Sequence, residues 1–505
     1  MEQKHTAAQV YNSLKAERDP YLYRGRLCSS LTIPSILPEE GDDEHTQYRV
    51  PYSGFGARGI KQLASKIVMA LFPPSHPFVR LGVSTELITR LDLTDAKKGD
   101  LETALSQTEQ LIVTELERRA LRSLLYEDIK HLLVTGNGLL YIGSKESRFY
   151  RLDKYVVERD DQGTVTRIVV CEKISFRKLP SGMQNAIREQ RRLKGDPRKD
   201  LNLYTMIELK GDHWHSYQEV EGMRVSGSES SYRKDRSPWI VCTMNRLDGE
   251  DYGRSFAEEH IGDLNTHEAL VKAITQASIA ASKVIFMVKP NASTRASTLS
   301  KAKNGDYVQG DKEDVSCLQL DKAHDLAIAQ NLKAEIQAGL SEAFLMSSAV
   351  RRDAERVTAE EIRMMTQMLE ESLGGLYSQL AQSLQLPLVN VLLGHMERDG
   401  ILPHFPEGTF EPIVITGVEG LGREAELSRL NTFVNLVQQV GAEQAAKEMH
   451  LGELFKRYAA NLQIETKGLM KTAEEKQQEL QAEQMNQLMQ TATPQVVQGA
   501  MQQQQ

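Results

Sequence analysis

The sequence predicts an α+β chain that is mainly helical. Apolar residues recur at three- and four-residue steps in the first quarter and again after about residue 257, whereas between 139 and 256 the period falls towards two. At roughly 150 residues per domain, the 505 residues allow about three domains and a sizeable core, which excludes a small stapled scaffold.

The elements follow in chain order. Residues 60 to 72, IKQLASKIVMALF, place Ile60, Leu63, Ala64, Ile67, Val68 and Leu71 on one face of a helix that Pro73 and Pro74 end. From Leu101 to Val134, residues such as Leu105, Ile112, Leu116, Leu125, Ile129 and Leu132 mark a longer helical segment, with Gly136 as its left-handed cap. The runs LLYIGS, FYRLDKYVVERDDQGTVTRIVVCEKISF, LYTMIELKGDHWHSYQEVEGMRV and PWIVCTMNRL read as antiparallel strands, turning at Asp161-Gln162-Gly163 and Lys210-Gly211-Asp212. Residues 181 to 200 interrupt them as a short helix and an exposed loop.

Past Gly253 a helix of about 30 residues is expected, roughly 45 Å long at 1.5 Å per residue. Its second half is small in side chain (Ala269, Ala273, Ala277, Ala280, Ala281), which lets a neighbouring helix approach closely. A compact excursion follows, with Pro290, a Ser- and Thr-rich stretch, and the strand-like NGDYVQG and VSCLQL. Helix resumes at about Asp325, breaks at SSAVRRDAER and restarts at Thr358, which has the capping-box spacing to Glu361. It passes Gly374-Gly375, a kink site, and Pro387 to end near His395. The strand candidate PIVITG, more helix from 423 to about 462 and a tail with 12 glutamines in its last 29 positions complete the chain; the tail reads as fraying and disordered.

Composition excludes several functions. With 61 Lys+Arg against 69 Asp+Glu the net charge is −8, which argues against a broad basic face gripping nucleic acid but not against DNA passing by. Cys28, Cys171, Cys242 and Cys317 lie far apart without a CxxC pair, so neither a disulfide framework nor a zinc site is signalled, and the thiols read as reduced and intracellular. No stretch approaches the roughly 20 apolar residues of a bilayer span, and the N-terminus has no signal-peptide core, so a soluble chain without a membrane partner is expected.

Two segments mimic nucleotide sites. Gly54-Phe55-Gly56-Ala57-Arg58-Gly59 matches GxGxxG ahead of a helix, but QYRVPYS is no buried strand and no acidic ribose partner follows. From Gly138 to Gly143-Ser144-Lys145 the order of lysine and hydroxyl is the reverse of a phosphate loop. His213 and His215 share a strand face without a third ligand nearby, which favours an exposed strand edge over a metal site. Asp248, Glu250 and Asp251 read as a charged turn ahead of a helix rather than a cation site. Nothing assembles a catalytic group, and no cofactor is expected. The helix, excursion, helix, loop, helix run from 257 to 395 is the most informative element; its loop carries Arg351, Arg352 and Arg356, offset by Asp353 and Glu355.

Together these stretches resemble the portal, or head-to-tail connector, proteins of short-tailed double-stranded DNA phages. The matching segments are GARGIKQLASKIVMALFP at 56 to 73, LLVTGNGLLY at 132 to 141, YRLDKYVVERDDQG at 150 to 163 and RLDGEDYGRSFAEEHIGDL at 246 to 264. SKAKNGDYVQG at 300 to 310, SSAVRRDAERVTAEEIR at 347 to 363 and LGGLYSQLAQSLQLPLVNVLL at 373 to 393 continue the series, in the family's order over nearly the whole chain.

The resemblance implies a dodecameric ring at the unique capsid vertex through which DNA is packaged and ejected. It implies a wing at 1–256, stem helices at 257–286 and 325–348, a clip at 287–324, a channel loop at 349–357, a long wing helix and return at 358–419, a crown at 420–470 and a tail at 471–505. The implied site residues are the loop's Arg351, Arg352, Asp353, Glu355 and Arg356, the stem alanines above, and Lys289, Asn304, Asp306, Tyr307 and Gln309 in the clip. The implied partners are further copies of the chain, double-stranded DNA, the terminase large subunit, a tail adaptor, and scaffolding, major capsid and internal core proteins. Two alternatives stay open at this level: a nucleotide-binding enzyme using the 54–59 turn, and a helical scaffolding protein.

Overall fold

The computed structural model describes residues 6–43, 45–74, 77–83, 95–191, 200–282, 285–291, 293–318, 323–346, 368–369, 375–403, 410–414 and 432–435. The chain divides into two compact units, one of residues 1–82 and 109–419, the other of 83–108 and 420–505. In the second unit the described parts are Val83, the last residue of a strand, and helix at 95–108 and 432–435.

The first unit opens with α1 (Ala7–Leu31), started by a capping box in which Thr6 and Gln9 exchange hydrogen bonds. The predicted apolar face of α2 (Phe55–Leu71) is buried, and the helix ends before Pro73. β1 (Val79–Val83) follows. The segment predicted as one helix from 101 to 134 is two, α3 (Asp95–Arg118) and α4 (Leu121–Thr135), because Ala120 adopts φ 51. Arg119, at the break, donates to Glu115 and to the Gly143 and Ser144 carbonyls, contacts that outweigh helical continuity. Gly136 caps α4 at φ 74, as its position predicts.

The alternating stretch forms β2 (Asn137–Ile142), β3 (Ser147–Tyr150), β4 (Tyr155–Arg159), β5 (Val165–Ile174), α5 (Ser181–Arg191), β6 (Leu201–Lys210), β7 (His213–Val220), β8 (Met223–Arg224), β9 (Ser230–Arg233) and β10 (Trp239–Thr243). One antiparallel sheet has the order β10-β2-β3; the other is six-stranded, β4-β5-β6-β7-β8 with β9 also on β7. Gly163 and Gly211 turn the chain at positive φ where predicted. α1 buries Val10, Tyr11 and Leu14 against Val156, Val169 and Met206 of the larger sheet. α5 packs Ile187 on Phe176, Leu179, Leu201 and Val220.

The helix expected over 257–286 is also divided. Ser255 caps α6 (Phe256–Glu259), His260 leaves helical geometry at φ −107, and α7 (Ile261–Ala281) carries on. The His260 ring is held between Phe256 and Phe344, which fixes the break. The chain is already β11 (Ile285–Val288) where the helix was expected to end, since Ile285, Phe286 and Val288 suit a strand and pair with β12 (Val315–Leu318). Between them lies the short α8 (Ala296–Leu299). NGDYVQG is not a strand: Gly305 turns at φ 94, and Asp306 accepts from the Lys303 N–H at 2.6 Å. α9 (Ala323–Ala343) then runs back along α7.

Further on, α10 (Leu376–Leu380), a π-helical turn at Ala381–Gln385 and α11 (Leu386–Arg398) are continuous. The kink expected at Gly374-Gly375 falls at the border of the described residues, and the π turn is an irregularity that the sequence reading did not place. Pro387 explains it, because its ring and missing N–H do not fit a regular α-turn. Wholly buried Gln385 donates from there to the Leu71 carbonyl that closes α2. β13 (Phe410–Val414) pairs with β1 and contains the start of the predicted PIVITG strand. The arginine loop at 349–357, the Thr358 restart, Gly374, the predicted helix at 423–462 apart from 432–435, and the Gln-rich tail lie outside the described residues.

Candidate functional site

The α7–α9 hairpin leaves the body at a backbone knot. Asn137, wholly buried after α4, donates its Nδ2 to the carbonyls of Gly253 (2.8 Å) and Thr135 (2.9 Å), and its Oδ1 accepts from Gly253 N–H at 2.8 Å. Met244 N–H donates to the Gly136 carbonyl at 2.9 Å. A Cβ on Gly136 would lie 2.5 Å from the Arg254 carbonyl carbon, and one on Gly253 2.2 Å from the Met244 oxygen, so neither position accepts a side chain. The TGNG and EDYGRS motifs, which both carry the resemblance, are therefore one site. It fixes where α6 and α7 begin.

A second set of contacts clamps the hairpin's base. His267 of α7, buried and lowered in pKa first by desolvation, faces Ser53 Oγ at 3.1 Å, while both Glu268 carboxylate oxygens accept the Tyr52 and Ser53 N–H groups at 2.8 Å. Phe344, just past α9, is wholly buried and meets Phe256 edge to face at 5.4 Å. It also lies where a Cβ on Gly59 would sit, 2.9 Å away. Lys66, on the same helix as Gly59, donates Nζ to the Leu345 carbonyl at 2.6 Å, and burial holds its pKa below the usual lysine range. Gly56 is similarly confined, since a Cβ on it would lie 2.6 Å from the Leu31 carbonyl oxygen. The GxGxxG turn is thus a packing surface for the hairpin base, which leaves the nucleotide-site alternative without support.

Beyond this base the hairpin stands clear of the body. Of the predicted packing residues, Ala277 is half-buried against α9, while Ala269, Ala273, Ala280 and Ala281 are exposed. At the far end, Lys289, Asn304, Asp306, Tyr307 and Gln309 are all exposed on the excursion, with Phe286 and Met287 beside Lys289 on β11. Lys289 is tied through its N–H to the Asp314 carbonyl, and the other four lie on the 304–309 turn region. Arg351, Arg352, Asp353, Glu355 and Arg356 lie outside the described residues.

The remaining candidates resolve simply. His213 and His215 point to an exposed face of β7, but β7 is an interior strand with β6 on one side and β9 on the other, so the expected edge is corrected. Glu250 pairs with Arg254 at 2.9 Å and Asp251 accepts from Arg159 N–H, in the turn that Gly249 makes at φ 77. Among the described residues no group of His, Cys, Asp and Glu could hold a metal ion, and no helix is long and apolar enough to cross a membrane. Burial pushes the Cys28 thiol up to about 11, away from nucleophilic reactivity. Sequence reasoning passed over Asn137, Lys66 and Phe344. The glycines flanking Asn137 were a usable signal; Lys66 and Phe344 carried none.

The site is a helical hairpin rooted in the body at its base, bearing exposed small residues and ending in an exposed two-stranded excursion. Similarity to known proteins specifies the family. A family model described as bacteriophage head to tail connecting protein matches residues 4–470. The chain is 39% identical over 503 residues to the portal protein of Escherichia phage T7, covering 98% of this chain and 93% of that one. It is 38% identical to the portal protein of Enterobacteria phage T3 (93% and 89% covered) and 29% to that of Pseudomonas phage phiKMV (98% and 96%). A chain from the neck of an empty GTA particle aligns at 14% identity with TM-score 0.37 over 75% of this chain and 86% of that chain, too loose a likeness to carry argument. The protein belongs to the bacteriophage head to tail connecting family, the portal proteins of podovirus phages.

Proposed function

We propose that twelve copies assemble head to tail into a ring at the unique capsid vertex, whose channel passes DNA during packaging and ejection without catalysis by the chain itself. The observation that carries this is the hairpin: rooted by fully bonded, wholly buried Asn137, it exposes Ala269, Ala273, Ala280 and Ala281 along α7, a face that close packing of neighbouring stems would cover. In this reading α7 and α9 are the stem, the 285–318 excursion is the clip, and the arginine loop that follows α9 lines the channel. The clip's exposed Lys289, Tyr307 and neighbours meet the terminase large subunit during filling and the tail adaptor afterwards. The residues from 420 to 470 form a crown facing the internal core proteins, and the scaffolding and major capsid proteins surround the ring. Assembly takes place in the host cytoplasm and the product resides in the virion. Electron microscopy of the purified full chain should show rings with a central channel; a stable monomer at micromolar concentration would sink the proposal.

A further inference from the structure

The segment 47–52, QYRVPY, belongs to no helix or strand and exposes Tyr48, Val50 and Tyr52 at 37%, 83% and 48%. Among the described residues none makes a backbone hydrogen bond with residues 47–51. Its C-terminal end is nonetheless fixed, through the bonds of Tyr52 and Ser53 to Glu268, with Lys272 Nζ 5.8 Å from the Tyr52 ring centroid. An exposed segment carrying three large apolar side chains and fixed at one end is a surface suited to a partner.

The helix pair offers a surface of matching character. His267 and Val271 of α7 and Ala329 and Lys333 of α9 are among the buried or half-buried positions between the two helices. In an antiparallel pair of right-handed helices, residues one step after a contact position share one flank, and residues one step before it share the other. Glu268 and Lys272, which hold the arm, are on the first flank. Ile328 and Leu332, 56% and 44% exposed, are on the second. The charges match in the same sense: Arg49 is exposed on the arm, and Asp325 and Glu335 are exposed on the Leu332 flank. One copy thus carries two different, complementary apolar flanks, the requirement for a heterologous contact that closes into a ring.

We infer that the 47–52 arm is a subunit clasp that packs on the Ile328–Leu332 flank of the next copy. This rests on the ring reading. The test uses full chains carrying Val50→Asp or Leu332→Asp, followed by analytical ultracentrifugation. Each variant alone should sediment as a monomer at concentrations where the unaltered chain forms rings, with its far-UV circular dichroism unchanged because both positions are exposed. Mixed one to one, they should form a dimer and stop, since each supplies one intact flank. Tyr48→Ser with Val50→Ser is the milder pair and should weaken rings to dilution if Val50→Asp disturbs folding. Rings of Val50→Asp as resistant to dilution as the original would overturn the clasp and leave the ring intact. Absence of the mixed dimer would overturn the choice of partner flank. A monomeric unaltered chain would remove the ring, and the clasp with it.

Discussion

Asp128 on α4 is wholly buried, and among the described residues no N–H or O–H serves its carboxyl oxygens, while the Cys242 thiol faces it. It also explains a glycine, since a Cβ on Gly138 would sit 2.1 Å from its Oδ1. Burial pushes its pKa from 3.8 up to about 7. Because the folded value lies above the unfolded one, the residue costs nothing below pH 3.8, and stability is lost as pH rises towards 7. Each unit of that gap is worth roughly 1 kcal/mol. Asp128→Asn should therefore raise the melting temperature at pH 8, where it removes a suppressed ionisation. At pH 4 it should lower it slightly by leaving amide hydrogens unpaired. Equal losses at both pH values in thermal unfolding would refute the account. Nothing in the sequence around Asp128 distinguishes it from a surface acid, because its neighbours Gly138 and Cys242 arrive from other strands.

The end of α9 shows how an element can be stopped without a breaker. Met346 N–H donates to the Ser341 carbonyl at 2.7 Å and Leu345 N–H to Glu342 at 3.0 Å, a Schellman closure with leucine at φ 52 where glycine is usual. Lys66 and the buried Phe344 hold that conformation against its cost. Leu345→Gly should raise stability by about 1 kcal/mol by relieving the left-handed strain, and Leu345→Ala should give no gain. A glycine variant that melts below the alanine one would remove the strain. The same logic separates what could be read from what could not. α2, the strand alternation and the Gly136 cap were legible because local periodicity and a glycine encode them. The breaks at Ala120 and His260 were not, since Arg119 and Phe344 impose them from outside the local pattern. Of the candidate site, the exposed alanines and the two glycine motifs were visible, but that Asn137 joins those motifs across 116 residues belongs only to the fold.

At the scale of the assembled molecule, charge decides how DNA would behave in the channel. Each chain carries net −8, and a ring multiplies it, while duplex DNA carries about one negative charge per 1.7 Å. In the proposed ring, such a conduit would repel DNA from most of its surface, which would keep friction low. The loop at 349–357 is the local exception: Arg351, Arg352 and Arg356 exceed Asp353 and Glu355, so every copy would offer a small positive excess at the same height. Brief phosphate contacts there would retain DNA without stalling it. Combining Arg351→Ala with Arg352→Ala should leave ring assembly intact but should reduce the DNA retained in assembled particles. The difference from the unaltered protein should be largest at low salt and shrink as the screening length falls to about 10 Å near 0.1 M and below it at higher salt. DNA content measured across a salt series tests both parts. Equal content at low salt would remove the loop's role and leave the ring standing. A loss that persisted undiminished at high salt would assign the effect to the loop's shape rather than its charge.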